Sequence, residues 1–139
     1  MQDVAYVIPP SLVPVGPLDF LASVSDKIEG FFYRCLNDSD YTMLHLSSGF
    51  DRMLGHDSAG FVLKQRSFAD LIHPEDLEAV TAAINTAVAQ RERWRISYRL
   101  RRADLSYAPV FETGGGVFDP GGGALLYLDG VVLDVGRLG

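Results

Sequence analysis

One long helix signal constrains this chain more than anything else in its sequence. It begins at His73-Pro74-Glu75-Asp76 and runs to Gln90. Proline suits the first turn of a helix, where its missing N–H has no partner to lose, and Glu75 and Asp76 beside it favour the positive end of the helix dipole. Leu77, Val80, Ile84 and Val88 follow at spacings that place them on one face, while Ala79, Ala82, Ala83, Ala87 and Ala89 raise the helix propensity. That face needs a sheet to lie on. Residues 93–102 supply a strand pattern, with Trp94, Ile96, Tyr98 and Leu100 on one side and Arg93, Arg95, Ser97, Arg99 and Arg101 on the other. The apolar side should point at the helix.

The rest of the chain reads as strands and short turns. Residues 31–36 and 41–46 form strands joined by a polar turn whose Asn and Asp side chains bond their own backbone. Residues 48–55 give a short helix capped by Ser48 and stopped by Gly55. Residues 60–63 make an irregular turn. A strand is expected over 107–113, a bend and hairpin at the glycine clusters 114–116 and 119–123, and a closing strand over 124–135. Neither glycine cluster fits a phosphate loop, because no Lys-Ser/Thr follows and neither joins a strand to a helix start. Residues 1–16 read as an extended leader, residues 17–29 as an amphipathic helix, and residues 30–139 as one domain. The apolar stripe of that first helix is Leu18, Leu21, Val24 and Ile28.

Composition removes several function classes. The net charge of −6 argues against nucleic acid, whose affinity comes mainly from neutralised phosphates. Six of the twelve basic residues do fall between Arg91 and Arg102, and their alternation with apolar residues reads as a solvated strand face. Cys35 is the only cysteine, so no intramolecular disulfide forms and a reducing compartment is the default. No apolar run is long enough to span a bilayer, no signal peptide is visible, and a cytoplasmic location is expected. His45, His56 and His73 fall on different elements, and no nucleophile and base recur at catalytic spacing. His73 suits a structural role at the helix start, and His56, in a loop after Gly55, is expected to be exposed.

The order of these elements resembles a PAS domain, specifically the bacterial sensory-box type that ends in a PAC segment. The resemblance rests on the aromatic strand Phe31-Phe32-Tyr33-Arg34, the second strand ending at Ser47-Ser48, and Phe50-x-x-Met53-Leu54-Gly55. It continues through Phe68-x-x-Leu71-Ile72-His73-Pro74-Glu75-Asp76, Trp94-x-x-x-Tyr98-Arg99-Leu100 and Leu128-x-Gly130-x-x-x-Asp134. The fold it implies is α+β, a five-stranded antiparallel sheet with helices packed on one face. Two departures stand out: Asp104-Leu105 where the family usually has Asp-Gly, and Pro109 where it usually has Trp. A proline inside a sheet removes a ladder donor, so that strand should be kinked, bulged or paired on one side there.

By resemblance the chain is a noncatalytic sensory module. It would bind a small ligand or relay a conformational signal to an attached histidine kinase, diguanylate cyclase or chemoreceptor signalling region. The alternative is a ligand-free module serving dimerisation or protein contact. The residues expected to line a ligand pocket are Phe32, Leu44, Met53, Phe68, Leu71, Ile72, Val80, Trp94, Ile96, Tyr98, Leu126 and Leu128. Tyr98 would be the polar handle, since a buried phenol seeks a partner. A solid core would leave the same alternation, so the pattern leaves both open. Covalent flavin is excluded, because it needs an Asn-Cys-Arg run in the helical connection and Cys35 lies on a strand. Haem is disfavoured, because the long helix carries no histidine beyond His73. No metal site is expected, an unidentified organic ligand stays open, and the leading helix would form a homodimer contact through Leu18, Leu21, Val24 and Ile28.

Overall fold

The computed structural model describes residues 20, 23, 24, 26–62 and 66–136. Five strands, β1 (Gly30–Cys35), β2 (Met43–Leu46), β3 (Trp94–Arg101), β4 (Tyr107–Phe118) and β5 (Leu125–Asp134), form one antiparallel sheet in the order β2-β1-β5-β4-β3. Between β2 and β3 lie a short helix α1 (Gly49–Leu54), two single 3-10 turns (Ser58–Gly60 and Phe68–Leu71) and the long helix α2 (Pro74–Gln90). These connections cover one face of the sheet and enclose the core. Of the leading stripe, Leu18 and Leu21 lie outside the described residues. Phe20, Ser23 and Val24 are helical.

The start of α2 shows why the His-Pro-Glu-Asp sequence matters. His73 caps the helix, its Nδ1 accepting from the Glu75 N–H at 3.0 Å, and Pro74 occupies the first turn. The Asp76 carboxylate accepts from the Arg99 backbone N–H at 3.0 Å, from its Nε at 2.9 Å and from its Nη2 at 2.8 Å. His73 N–H donates to the Arg99 carbonyl at 3.0 Å. The helix start is thus fastened to β3 by backbone and guanidinium together. Those bonds from Arg99 hold the Asp76 carboxyl below the usual carboxylate range. From there Val80, Ile84 and Ala87 are buried and Leu77 and Val88 pack partly against the core. The helix closes at Arg91, whose φ of 55° is left-handed.

Three local expectations need correction. Residues 114–116 are not a bend; they continue β4 to Phe118. Gly114 is required there by close approach, because a Cβ would meet the Trp94 ring at 2.5 Å and the Asp129 carbonyl at 2.8 Å. The hairpin is made by the second glycine cluster alone, where Gly123 N–H bonds the Asp119 carbonyl at 2.7 Å. His56 is buried rather than exposed, its Nε2 3.0 Å from the Arg101 carbonyl and its ring stacked on Phe50. Ser48 makes no side-chain cap bond to α1; its hydroxyl donates to Asp26 at 2.9 Å.

The two departures from the family pattern have physical outcomes. Pro109 pairs with Arg99 on the β3 side, while β5 pairing ends one residue away at Val110–Asp134, so the missing N–H breaks no ladder bond. Leu105 takes the left-handed backbone at φ 73° and leaves its side chain 74% exposed. A leucine there is strained on the order of 1 kcal/mol, which glycine would avoid. Leu105→Gly should therefore leave stability unchanged or raise it by about 0.5–1 kcal/mol in urea unfolding, despite the entropy glycine adds to the unfolded chain. A clear loss of stability would show that the leucine side chain holds the turn.

Candidate functional site

The covered face of the sheet is built by phase. On β1 the buried residues are Phe31, Tyr33 and Cys35; on β3 they are Trp94, Tyr98 and Leu100; on β5, Leu128, Val132 and Asp134. On β4 the buried set is Ala108, Val110, Glu112 and Gly114. Two carboxylates belong to this set: Asp134 at the end of β5, and Glu112, which stands in the middle of the face and is only 4% exposed. Burying such a group without partners would cost several kcal/mol, on the order of what one residue's interactions are worth. Here it has three. Glu112 Oε2 accepts from the Tyr33 hydroxyl at 2.7 Å and from the Trp94 indole N–H at 2.7 Å, and Oε1 accepts from the Tyr98 hydroxyl at 2.5 Å.

The electrostatics follow from that arrangement. Burial, and then the neighbouring Glu112, push the Tyr98 and Tyr33 hydroxyls well above the ordinary phenol value. Burial likewise pushes the Cys35 thiol up, which makes it an inert core residue rather than a nucleophile. Between this polar knot and α2 remains a void of about 10 Å³, bordered by Tyr33, Tyr41, Met43, Ile84, Tyr98 and Glu112 among others. That is room for about one water.

Of the residues expected to form a pocket, the structure brings Phe68, Ile72, Val80, Tyr98 and Leu128 to this void. Leu71 and Trp94 are buried in the surrounding core, and Ile96 packs partly against it. The remaining four are elsewhere. Phe32 lies on the opposite sheet face, stacked on His45 with ring centroids 5.5 Å apart, beside the Arg34–Asp129 ion pair. Its neighbour Phe31 takes the inner position instead. Leu44 falls at the register shift between β1 and β2, so it is half-buried and does not reach the void. Met53 packs partly against the core from α1 and borders a groove with Ile28, Arg52 and Asp134, away from the void. Leu126 is 43% exposed at the hairpin end of β5, where the β4 register also shifts.

Sequence periodicity does not single out Glu112, Tyr33 or Tyr41. A signal existed for Glu112, since it shares the even phase of Ala108, Val110 and Gly114. The odd phase, Tyr107, Phe111 and Thr113, looks equally suited to a core, so alternation did not decide. Gly130 belongs to the same constellation: a Cβ there would meet the Tyr33 hydroxyl at 2.9 Å and the Thr113 carbonyl at 2.6 Å. Among the described residues no three His, Cys, Asp or Glu side chains gather as metal ligands.

Comparison with known proteins places this geometry. The family model described as the PAS fold matches residues 43–132. White collar 2 protein of Neurospora crassa is 31% identical over 78 residues, which cover 56% of this chain and 14% of that protein. Among solved structures, the PAS domain of a protein from Colwellia psychrerythraea superposes with a TM-score of 0.70 at 15% identity, covering 86% of this chain and 98% of that one. A sensory box histidine kinase/response regulator from Burkholderia thailandensis gives 0.64 at 19% identity, covering 88% and 87%. These likenesses are of fold.

The raised tyrosines make a pH prediction. Above about pH 10 the unfolded chain's tyrosines lose their protons while Tyr33 and Tyr98 keep theirs in the folded state. Stability due to the neutral buried phenols is full below that pH and should fall as pH rises through it. Tyr98→Phe should cost about 1–3 kcal/mol at neutral pH and make the alkaline decline shallower. Parallel pH profiles for the two proteins would contradict the assignment.

Proposed function

We propose that this chain, which belongs to the PAS family, is a noncatalytic sensory domain that relays conformational change from its core to an effector attached to it. The observation that carries this reading is the closure of the interior around Glu112, which leaves a void of only about 10 Å³. An organic ligand of ordinary size needs several hundred cubic ångströms, roughly 300 or more. The inner face is thus suited to transmit strain between sheet and helices rather than to hold a cofactor. No covalent-flavin chemistry is open to it, since Cys35 is the sole thiol and is buried on β1. The long helix carries no histidine beyond His73 at its entry, which leaves haem without its usual ligand.

The attached effector would be a histidine kinase, diguanylate cyclase or chemoreceptor signalling region; the name of the Burkholderia thailandensis relative joins a sensory box to a histidine kinase. No helix among the described residues is long and apolar enough to cross a membrane. A cytoplasmic setting fits that, together with the single buried thiol. Native mass spectrometry with a near-ultraviolet and visible absorption scan of the protein as purified tests the reading. The bare chain mass and no band beyond the aromatic one are expected. A retained organic molecule would overturn the closed-core relay.

Homodimerisation belongs to the same proposal. Phe20 is 60% and Val24 43% exposed, and Ile28 is half-buried, so this leading apolar surface has no cover within the described chain. A second copy would supply it, with Leu18 and Leu21 completing the stripe. Deleting residues 1–28 should change sedimentation from dimer to monomer. A coefficient unchanged after correction for mass would place the contact elsewhere.

A further inference from the structure

β3 is an outer strand of the sheet, with β4 on one side only. Pro109 reveals which of its peptide groups face outward. It lies opposite Arg99, has no N–H to donate, and its carbonyl accepts from Val135 at 3.1 Å on the β5 side. Arg99 and Pro109 are therefore a non-hydrogen-bonded pair, and the Arg99 N–H and C=O point away from β4. There they meet Asp76 and His73, each at 3.0 Å. By the two-residue period of a strand, the N–H and C=O groups of Ser97 and Arg95 point out the same way. Among the described residues nothing bonds them on that side.

Arg95 borders a groove of about 380 Å³ between β3 and α2, together with Arg93 and with Ala82, Ala83 and Thr86 of the helix; Ser97 lies on the same strand edge just beyond it. The small helix side chains leave space for another backbone. The arginines here differ from their neighbours. Arg99 is paired with Asp76 and Glu75, and Arg91 donates to the Gly123 carbonyl at 2.8 Å and lies over the Phe118 ring. Arg93 and Arg95 are exposed and have no ion-pair partner among the described residues. Among the described residues Glu92 is the one acidic side chain bordering the groove.

Charge decides what can occupy such an edge. A second copy adding its own β3 would set Arg93 and Arg95 against the same arginines, and like charges on paired strands destabilise. An acidic strand meets the opposite condition. The chain's net charge of −6 does not forbid it, because at physiological salt charges beyond about 8 Å are screened and the local pair governs.

We infer that the open edge of β3 is a strand-addition site for an extended acidic segment of a partner protein. The Arg95 and Ser97 peptide groups supply the ladder bonds, and Arg93 and Arg95 select acidic side chains at alternate positions.

Amide hydrogen exchange read by NMR tests this with two capped peptides, one alternating glutamate with valine and one alternating lysine with valine. The glutamate peptide should protect the Arg95 and Ser97 amides, and the lysine peptide should not. Ser97→Pro removes an outward N–H and no bond to β4, so it should weaken binding about tenfold or more. Reversing both charges, Arg93→Glu with Arg95→Glu, should exchange the peptide preference and keeps the test open if the proline variant fails to fold. Absence of binding by either peptide, equal protection by both, unchanged binding by folded Ser97→Pro, or a preference that survives charge reversal would overturn the proposal.

Discussion

The carboxylate of Glu112 can remain where it is only if three donors reach it, and much of the domain is arranged so that they do. Tyr33 arrives from β1 and Trp94 and Tyr98 from β3, so one side chain on β4 is bonded by residues from two other strands. Gly130 and Gly114 are the spaces that let those donors in, one beside the Tyr33 hydroxyl and the other beneath the Trp94 ring. In a low-dielectric interior a satisfied network of this kind rigidifies, whereas a half-satisfied one is costly. The interior is consequently fastened rather than hollow. The void left beside Glu112 is accordingly about 10 Å³, room for about one water.

A second fastening, between Asp76 and Arg99, acts where the long helix meets the sheet. It uses the last outward-facing backbone groups of β3 before that strand's edge becomes free. The same strand is thus held inside through Trp94 and Tyr98, held at one end by the helix start, and, among the described residues, without a neighbour on its outer edge at Arg95 and Ser97. A change of cover on that edge would be felt by Tyr98 and by Glu112 through a single strand. A strand shared between surface and buried knot is a physical route by which a contact outside alters packing inside.

Much of this was legible in the residues. The helix start at Pro74, the apolar stripe on α2, the alternation of β3 and the five-strand order each follow from local chemistry repeated at a readable period. Phase inside the central strands was less so. Phe31 and Phe32 are adjacent aromatics, and periodicity cannot say which faces in; the structure turns Phe31 inward and stacks Phe32 on His45. On β4 the even and odd sets were equally credible, which hid Glu112. Leu44 and Leu126 were displaced by register shifts, features set by pairing with a distant strand and not by neighbours in sequence. The glycines at 114–116 resembled a turn because the contact that requires Gly114, the Trp94 ring, lies twenty residues away in the chain.

If Glu112 organises the interior through its three bonds, urea unfolding of Glu112→Ala should show it. The substitution leaves the hydroxyls of Tyr33 and Tyr98 and the Trp94 N–H buried without their acceptor. Stability should fall by on the order of 3 kcal/mol or more, the sum of several unmet donors. A loss below about 1 kcal/mol, in a protein that keeps its sheet, would mean that the carboxylate is tolerated by the core rather than required by it.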